Sequence, residues 1–150
     1  MQQLYEYVGC FFDFEELYAK IANIPRKPLA KTISNPHVTF VYKPEEIDES
    51  LFGSIVKVRI IGYGFNEENE GLHVDVRTDN DALEKMITEI PVPHITLSIS
   101  ENGAAVNTRY LAFYEIEPVE LTGFFGGCTF DREVNVGSIS SLIITDCERS

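Results

Sequence analysis

Tryptophan is absent from this 150-residue sequence, and cysteine, methionine and basic residues are all scarce. No apolar run approaches the roughly 18 residues that a membrane-spanning helix requires. The N-terminus has no basic segment followed by an apolar stretch, which is the pattern of a signal peptide. The three cysteines include no C-x-x-C pair, so neither a disulfide framework nor a zinc site is expected. These absences predict a soluble, cytoplasmic protein that is neither exported nor bound to a membrane.

The scarcity of basic residues leaves a formal net charge of −12, with 12 Lys and Arg against 24 Asp and Glu. Such a surface repels the phosphate backbone of long DNA or RNA, which disfavours both as partners. A small nucleotide is not excluded, because a few donors inside a cleft can outweigh a distant, salt-screened field. Each basic residue near the motifs described next is most simply solvated surface. The candidate local cations are Arg26, Lys27, Lys31, Lys43 and Arg109.

One short pattern occurs twice, as Pro36-His37-Val38-Thr39-Phe40 and as Pro93-His94-Ile95-Thr96-Leu97. Each copy has a histidine and a threonine two residues apart, and on a β-strand that spacing places both side chains on one face. Two such strands side by side would line a cleft with two imidazoles and two hydroxyls. We therefore expect the four residues to form one site. The simpler alternative is two amphipathic strands whose histidines have no chemical role.

His73 is the third histidine, and we favour that simpler alternative for it. No threonine follows it two residues on, and it alternates with Leu72 and Val74. This alternation is typical of the polar face of a half-exposed strand.

The order of predicted elements indicates one domain in which each half contains a strand, a helix and a histidine strand. Asp13 caps a predicted helix over 14–22, and Thr78 or Asp79 caps another over 81–89. Strands are predicted at 4–12, 37–42, 55–65, 72–77, 94–100, 119–124, 127–130 and 141–145, with a polar loop at 101–108. This order predicts an α+β fold with the site between two similar lobes.

The two motifs resemble those of the 2H phosphoesterase superfamily, whose members carry two H-x-[ST] motifs on opposed strands of two pseudo-symmetric lobes. The segments 36–40 and 93–100, with Gly62-Tyr63-Gly64 between them, also look like small phage proteins of the anti-CBASS nuclease branch. Those proteins degrade cyclic oligonucleotide signals. The resemblance implies a single 2H phosphoesterase domain over residues 1–150, with antiparallel sheets, flanking helices and a central cleft.

The resemblance also implies catalytic roles for His37 and His94 and phosphate-binding roles for Thr39 and Thr96. The chain departs from related proteins in having no tryptophan, so any stacking on a base falls to tyrosine or phenylalanine. The base preference therefore stays open.

The chemistry of these residue types agrees with a phosphodiesterase. Breaking a phosphodiester needs a base to activate the attacking oxygen and an acid to protonate the departing one, and two histidines supply both near neutral pH without a metal. Threonine hydroxyls can stabilise the charge that grows on the non-bridging oxygens. Which histidine is the base is left open by the sequence, and neither a metal nor another cofactor is expected.

These observations lead to a main hypothesis and three alternatives. The main hypothesis is a metal-independent phosphodiesterase that hydrolyses cyclic oligonucleotide second messengers, encoded by a phage and acting in the host cytoplasm. A 2′,3′-cyclic phosphodiesterase or RNA-end processing enzyme is the alternative within the same class. The other two alternatives are a protein that sequesters a nucleotide without catalysis and a purely structural domain. A monomer is the default oligomeric state.

Several residues are candidates for substrate binding because an exposed tyrosine or phenylalanine can stack on a base. Lys43 is a weaker candidate for a phosphate contact, since strand alternation would place it on the face of His37 and Thr39. The candidates for base recognition are Tyr7, Tyr42, Tyr63 and Phe125.

Overall fold

The structure, a computed structural model, describes residues 5–131 and 133–137. Its strands are β1 (Tyr5–Phe11), β2 (Lys31–Thr32), β3 (His37–Tyr42), β4 (Ile55–Phe65), β5 (Asn69–Arg77), β6 (His94–Ile99), β7 (Tyr114–Thr129) and β8 (Val134–Asn135). Its helices are α1 (Phe14–Lys20), α2 (Asp81–Thr88) and two 3₁₀ helices, Glu49–Leu51 and Ala105–Tyr110. The strand predicted at 141–145 lies outside the described residues.

The strands form one eight-stranded sheet in the order β2-β6-β5-β4-β7-β1-β3, with β8 also paired to β7. Every pairing among the described strands is antiparallel. Two α-helices accompany the sheet, so the predicted α+β class is confirmed.

β7 is a 16-residue strand that pairs with different neighbours along its length. Its first part pairs with β4 and its second part with β1, and Phe124 is the register partner of both Ile55 and Phe11. The sequence predicted two separate strands here, which is wrong. Pro118 is accommodated within the strand because it lies where the β4–β7 register is irregular and tolerates a missing donor. A Cβ at Gly123 would overlap Cys10 Sγ, so glycine lets the strands approach closely.

The two histidine strands come close together although no ladder of hydrogen bonds joins them. Cα atoms of β3 and β6 approach within 8 Å. The segment between β2 and β3 explains this, because Lys31 and Thr32 pair with β6 and the Ile33 amide donates to Leu97 O at 2.9 Å. The chain therefore follows the edge of β6 until His37 begins β3, which pairs with β1.

One core unites the inner face of the sheet with both helices. On β3, Val38 and Phe40 are buried while His37 and Thr39 on the opposite face are half-buried. The same alternation holds along β4. The helices complete this core with Leu17, Ile21, Leu83 and Ile87.

The helices begin at side-chain caps. Asp13 Oδ1 accepts a hydrogen bond from the Glu16 amide at 3.1 Å, as the sequence predicted. For α2 the cap is Asn80, whose Oδ1 accepts from the Leu83 amide at 3.0 Å, and not Thr78 or Asp79. Among the described residues, no helix is both long enough and apolar enough to span a membrane.

The cysteines differ from the expectation drawn from their number. Cys10 is a free, buried thiol, whereas Cys128 is disulfide-bonded. The expectation that the cysteines form no disulfide is therefore wrong for Cys128.

Candidate active site

His37 is held at the start of β3 by its own neighbours. Its Nδ1 lies 2.8 Å from Asn35 O, and because a carbonyl oxygen only accepts, Nδ1 is the donor. Nε2 of the neutral ring therefore keeps its lone pair. The ring stacks on Tyr7, with centroids 4.5 Å apart, and Asn35 Nδ2 donates to the Tyr7 hydroxyl at 3.4 Å.

His94 has the same support at the start of β6. Its Nδ1 donates to Val92 O at 2.8 Å, again the carbonyl two residues earlier. The two motifs therefore fix the imidazoles in the same way and leave Nε2 of each as the reactive nitrogen.

Both histidine rings lie on one face of the sheet. Directly paired residues of an antiparallel sheet project from the same face, as do residues two apart along a strand. Steps of these two kinds lead across the sheet from one motif histidine to the other. In order, the residues are His94, His73, Arg77, Lys57, Thr122, Phe124, Phe11 and His37. The two motif histidines therefore project from the same face of the sheet.

The environment keeps both imidazoles neutral. Burial lowers the pKa of His37 to about 4, against the opposing hydrogen bond to Asn35, and a charge on His94 would lower it further. Burial also lowers the pKa of His94, and the positive charges of Arg109 and of protonated His73 add to this effect. His94 is therefore close enough to His37 to lower its pKa.

The two motif threonines are not equivalent. Thr39 is half-buried, and its hydroxyl makes no hydrogen bond to residues 5–131 or 133–137. Thr96 is 8 % exposed, and its Oγ1 lies 3.1 Å from Ala105 O and 2.8 Å from Thr108 Oγ1. The single proton of the Thr96 hydroxyl thus has an acceptor inside the protein whichever of these two hydrogen bonds it makes.

Thr96 connects β6 to a part of the site that the sequence did not predict. The 3₁₀ helix Ala105–Tyr110, called here the 105–110 helix, replaces part of the predicted loop. It carries Arg109 close enough to His94 to affect its pKa. The Arg109 guanidinium covers the Tyr110 ring at 4.9 Å and donates to its hydroxyl at 2.9 Å. The apolar residues of this segment show no helical period, so the sequence does not predict the helix. Only the charge of Arg109 was available as a signal that the segment belongs to the site.

Of the predicted base-binding residues, Tyr63 and Phe125 must be withdrawn. Both are fully buried, which leaves no ring face for a base. The Tyr63 hydroxyl donates to Glu70 at 2.7 Å, and Phe125 packs against Phe40 and Phe52.

Of the other three candidates, only Tyr7 contacts a motif histidine, because Tyr42 and Lys43 lie at the opposite end of β3 from His37. Tyr7 is 7 % exposed and covers the His37 ring, so it supports the imidazole and does not offer a free stacking surface. Tyr42 is 60 % exposed at the end of β3. Lys43 does not continue the strand alternation, because its φ of 50° ends the strand and its Nζ lies over the Tyr42 ring at 5.5 Å.

Arg26 belongs to a buried network and not to a free cationic surface. Its guanidinium contacts both carboxylate oxygens of Glu70, at 2.8 and 2.9 Å, and the Glu70 side chain is fully buried. Ser98 and Tyr63 also donate to this carboxylate. The network attaches the loop after α1 to the sheet, while Lys27 and Lys31 on that loop are exposed.

Two surface depressions of about 1110 and 490 Å³ lie elsewhere on the molecule, and neither is lined by His37 or His94. Lys57, Asp75 and Arg77 line both of them. Within the described chain, no group of three or more His, Cys, Asp or Glu residues is placed to hold a metal ion. Compared with known proteins, the chain matches no family model and no curated sequence.

Proposed function

We propose that this protein is a metal-independent phosphodiesterase that uses His37 and His94 as its acid and base. The observation that carries the proposal is the matched pair of imidazoles on one sheet face, each with Nδ1 bonded to a backbone carbonyl and Nε2 unprotonated. A nucleotide-sequestering protein would need phosphate donors but no such matched pair of oriented bases.

The proposed reaction transfers one proton at each side of the phosphorus. Nε2 of one histidine takes the proton of a ribose 2′-hydroxyl as its oxygen bonds to phosphorus, and the other, protonated at Nε2, gives its proton to the departing oxygen as the P–O bond breaks. If the substrate is already a 2′,3′-cyclic phosphate, water replaces the 2′-hydroxyl. Thr39, with an uncommitted hydroxyl, donates to a non-bridging oxygen.

We assign the base to His37 and the acid to His94. His37 has its pKa lowered to about 4 and is the imidazole that stays neutral over the wider pH range. A bound phosphate anion favours the protonated form of a neighbouring imidazole. His94, where Arg109 collects the same anion, is then the ring that holds the proton.

A cyclic oligonucleotide is the substrate class that fits best with the charge. A protein with net charge −12 repels long nucleic acids, whereas a small cyclic molecule needs only local contacts. We propose that the protein is encoded by a phage and acts as a monomer in the host cytoplasm. We also propose that it has the two-lobed 2H fold with its central cleft. The division of β7 between β4 and β1 supports the two lobes.

The test is product analysis after incubation with a panel of cyclic dinucleotides, cyclic trinucleotides and 2′,3′-cyclic mononucleotides, with EDTA present. Conversion of a cyclic oligonucleotide to linear products supports the proposal. Turnover of only the 2′,3′-cyclic mononucleotides supports RNA-end chemistry instead. Tight binding with no product after long incubation identifies a sequestering protein.

A further inference from the structure

We propose that the 105–110 helix is a phosphate-binding arm, on which Arg109 contacts the substrate phosphate beside His94, and that Thr96 is a positioning residue that holds this arm. The inference rests on the proposed function, because it concerns the same phosphate. It departs from equal roles for the two motif threonines.

The first step is the bonding of Thr96. A hydroxyl has one proton, and that of Thr96 has two acceptors at 3.1 and 2.8 Å, both on the 105–110 helix. The side chain is also buried, so a phosphate oxygen cannot approach it as it can approach Thr39. The second motif therefore lacks the free hydroxyl donor that the first motif has.

The second step is the way in which the helix is fixed. Asn69 Nδ2 donates to Ala104 O at 2.8 Å and to Thr108 Oγ1 at 3.0 Å. Gly71 on β5 lies so close to Thr108 that a Cβ there would overlap its methyl group. Three buried polar side chains, those of Asn69, Thr96 and Thr108, thus bind this short helix to β5 and β6.

The third step is the position of Arg109. It follows Thr108 directly, its side chain is exposed, and its charge acts on His94. The Tyr110 ring and hydroxyl hold one side of the guanidinium, which leaves its other N–H donors for an anion. A guanidinium binds a phosphate through two parallel hydrogen bonds, and so supplies the donor that Thr96 cannot.

The test compares R109Q, R109K and the control R59Q, which removes the same charge from β4, two strands away from β6. Arg59 is exposed on the same sheet face. We expect R109Q to weaken binding of adenosine 3′-monophosphate and of inorganic phosphate by about tenfold or more, R109K by less, and R59Q by little. Equal affinities in R109Q and wild type would overturn the proposal.

The positioning role of Thr96 is tested by T96V, T96S and the double variant T96V/R109Q. We expect T96S to retain phosphate affinity and T96V to lose it. The double variant should bind no worse than R109Q alone, because Thr96 acts through Arg109. Additive losses would show that Thr96 contacts the phosphate itself. Thermal unfolding of each variant identifies any that does not fold. If T96V does not fold, the phosphate affinity of R109Q, a substitution at an exposed site, decides whether the 105–110 helix binds phosphate.

Histidine titration by NMR gives a readout that requires no substrate. Arg109 and His73 both oppose protonation of His94, and His37 faces it from β3. R109Q should therefore raise the pKa of His94, and R59Q should not.

The failure of this proposal can be distinguished from the failure of the proposed function. If R109Q hydrolyses cyclic dinucleotides with wild-type KM, the phosphate-binding arm is wrong while the phosphodiesterase proposal stands. If Arg109 binds phosphate and the wild-type protein hydrolyses nothing, the phosphodiesterase proposal is wrong while the phosphate-binding arm stands.

Discussion

The orientation of each motif histidine depends on a backbone carbonyl two residues earlier, in Asn35 and Val92. The proline between that carbonyl and the histidine restricts the chain locally, because its φ is fixed near −65°. The three-residue unit x-Pro-His therefore carries its own ring support. This is why a linear motif could indicate a site that two distant segments build.

Removing either imidazole should abolish most of the proposed turnover. H37A and H94A should each lower kcat by about two to four orders of magnitude, because each removes one partner of a concerted proton transfer. Single-turnover assays with the cyclic dinucleotide measure this. H73A, which removes the third imidazole, should retain most activity, and a comparable loss there would argue against the two-histidine mechanism. The double variant H37A/H94A should be little worse than the worse single one.

The lowered histidine pKa values place the pH optimum on the acid side. In the free enzyme the base His37 must be neutral, which requires a pH above about 4. The acid His94 must be protonated, and its pKa lies below the ordinary 6.5. The profile of kcat/KM reports these free-enzyme values, so we expect a bell with its maximum between pH 4 and 6.5. A maximum above pH 7 would contradict the assignment.

At the scale of elements, the histidine strands were predictable and the elements that support them were not. Regular alternation gave β3 and β4 their observed bounds. The 105–110 helix escaped because buried hydrogen bonds to Asn69 and Thr96, and not an apolar period, stabilise it. Long-range contacts of this kind leave no local pattern in the sequence.

Tyr63 and Phe125 were misassigned for a similar reason. An aromatic residue beside glycines can be either exposed or buried, and the neighbours that decide this are distant in sequence. The Tyr63 hydroxyl donates to Glu70 and accepts from the Lys27 amide, and Phe40 and Phe52 pack against the Phe125 ring.

The attachment of the loop after α1 should depend strongly on Glu70. Burial alone would raise the pKa of Glu70, but hydrogen bonds from Arg26, Ser98 and Tyr63 outweigh it, so the pKa is lowered. E70Q leaves Arg26 without its partner and should lower the free energy of unfolding by about 3 kcal/mol. Urea unfolding at pH 7 measures this, and E67Q at an exposed turn position should change it by less than about 0.5 kcal/mol.

The pH dependence of stability gives a second check on this ion pair. A carboxylate with a lowered pKa stabilises the fold above its unfolded pKa, and loses that contribution as the pH falls through its folded pKa. The difference in unfolding free energy between wild type and E70Q should therefore shrink as the pH falls below 4.5, the ordinary value for this group. A difference that is independent of pH would show that the charge of Glu70 contributes little.

At the scale of the whole molecule, the proposed chemistry requires no metal, because two imidazoles transfer both protons. Turnover should survive dialysis against EDTA, measured with the same cyclic dinucleotide before and after treatment. Loss of activity that zinc or manganese restores would show that a metal takes part. A metal-dependent nuclease treated in parallel confirms that chelation was complete.

The net charge of −12 should make substrate length decisive. We expect hydrolysis of a cyclic dinucleotide but no measurable binding of a long single-stranded RNA at physiological salt, because the surface repels a polyanion. Fluorescence anisotropy with a labelled RNA measures this. Tight RNA binding would favour the RNA-end processing alternative.

The late position of β7 in the chain has a consequence for biosynthesis. β1 and β3 leave the ribosome early, but β7, which pairs with both β1 and β4, follows six other strands. Until it emerges, β1 and β4 each present an unpaired edge that invites aggregation. Contacts so distant in sequence also slow folding. The sheet around His37, which reaches β7 through β1, is therefore completed only after nearly all of the described chain has been translated.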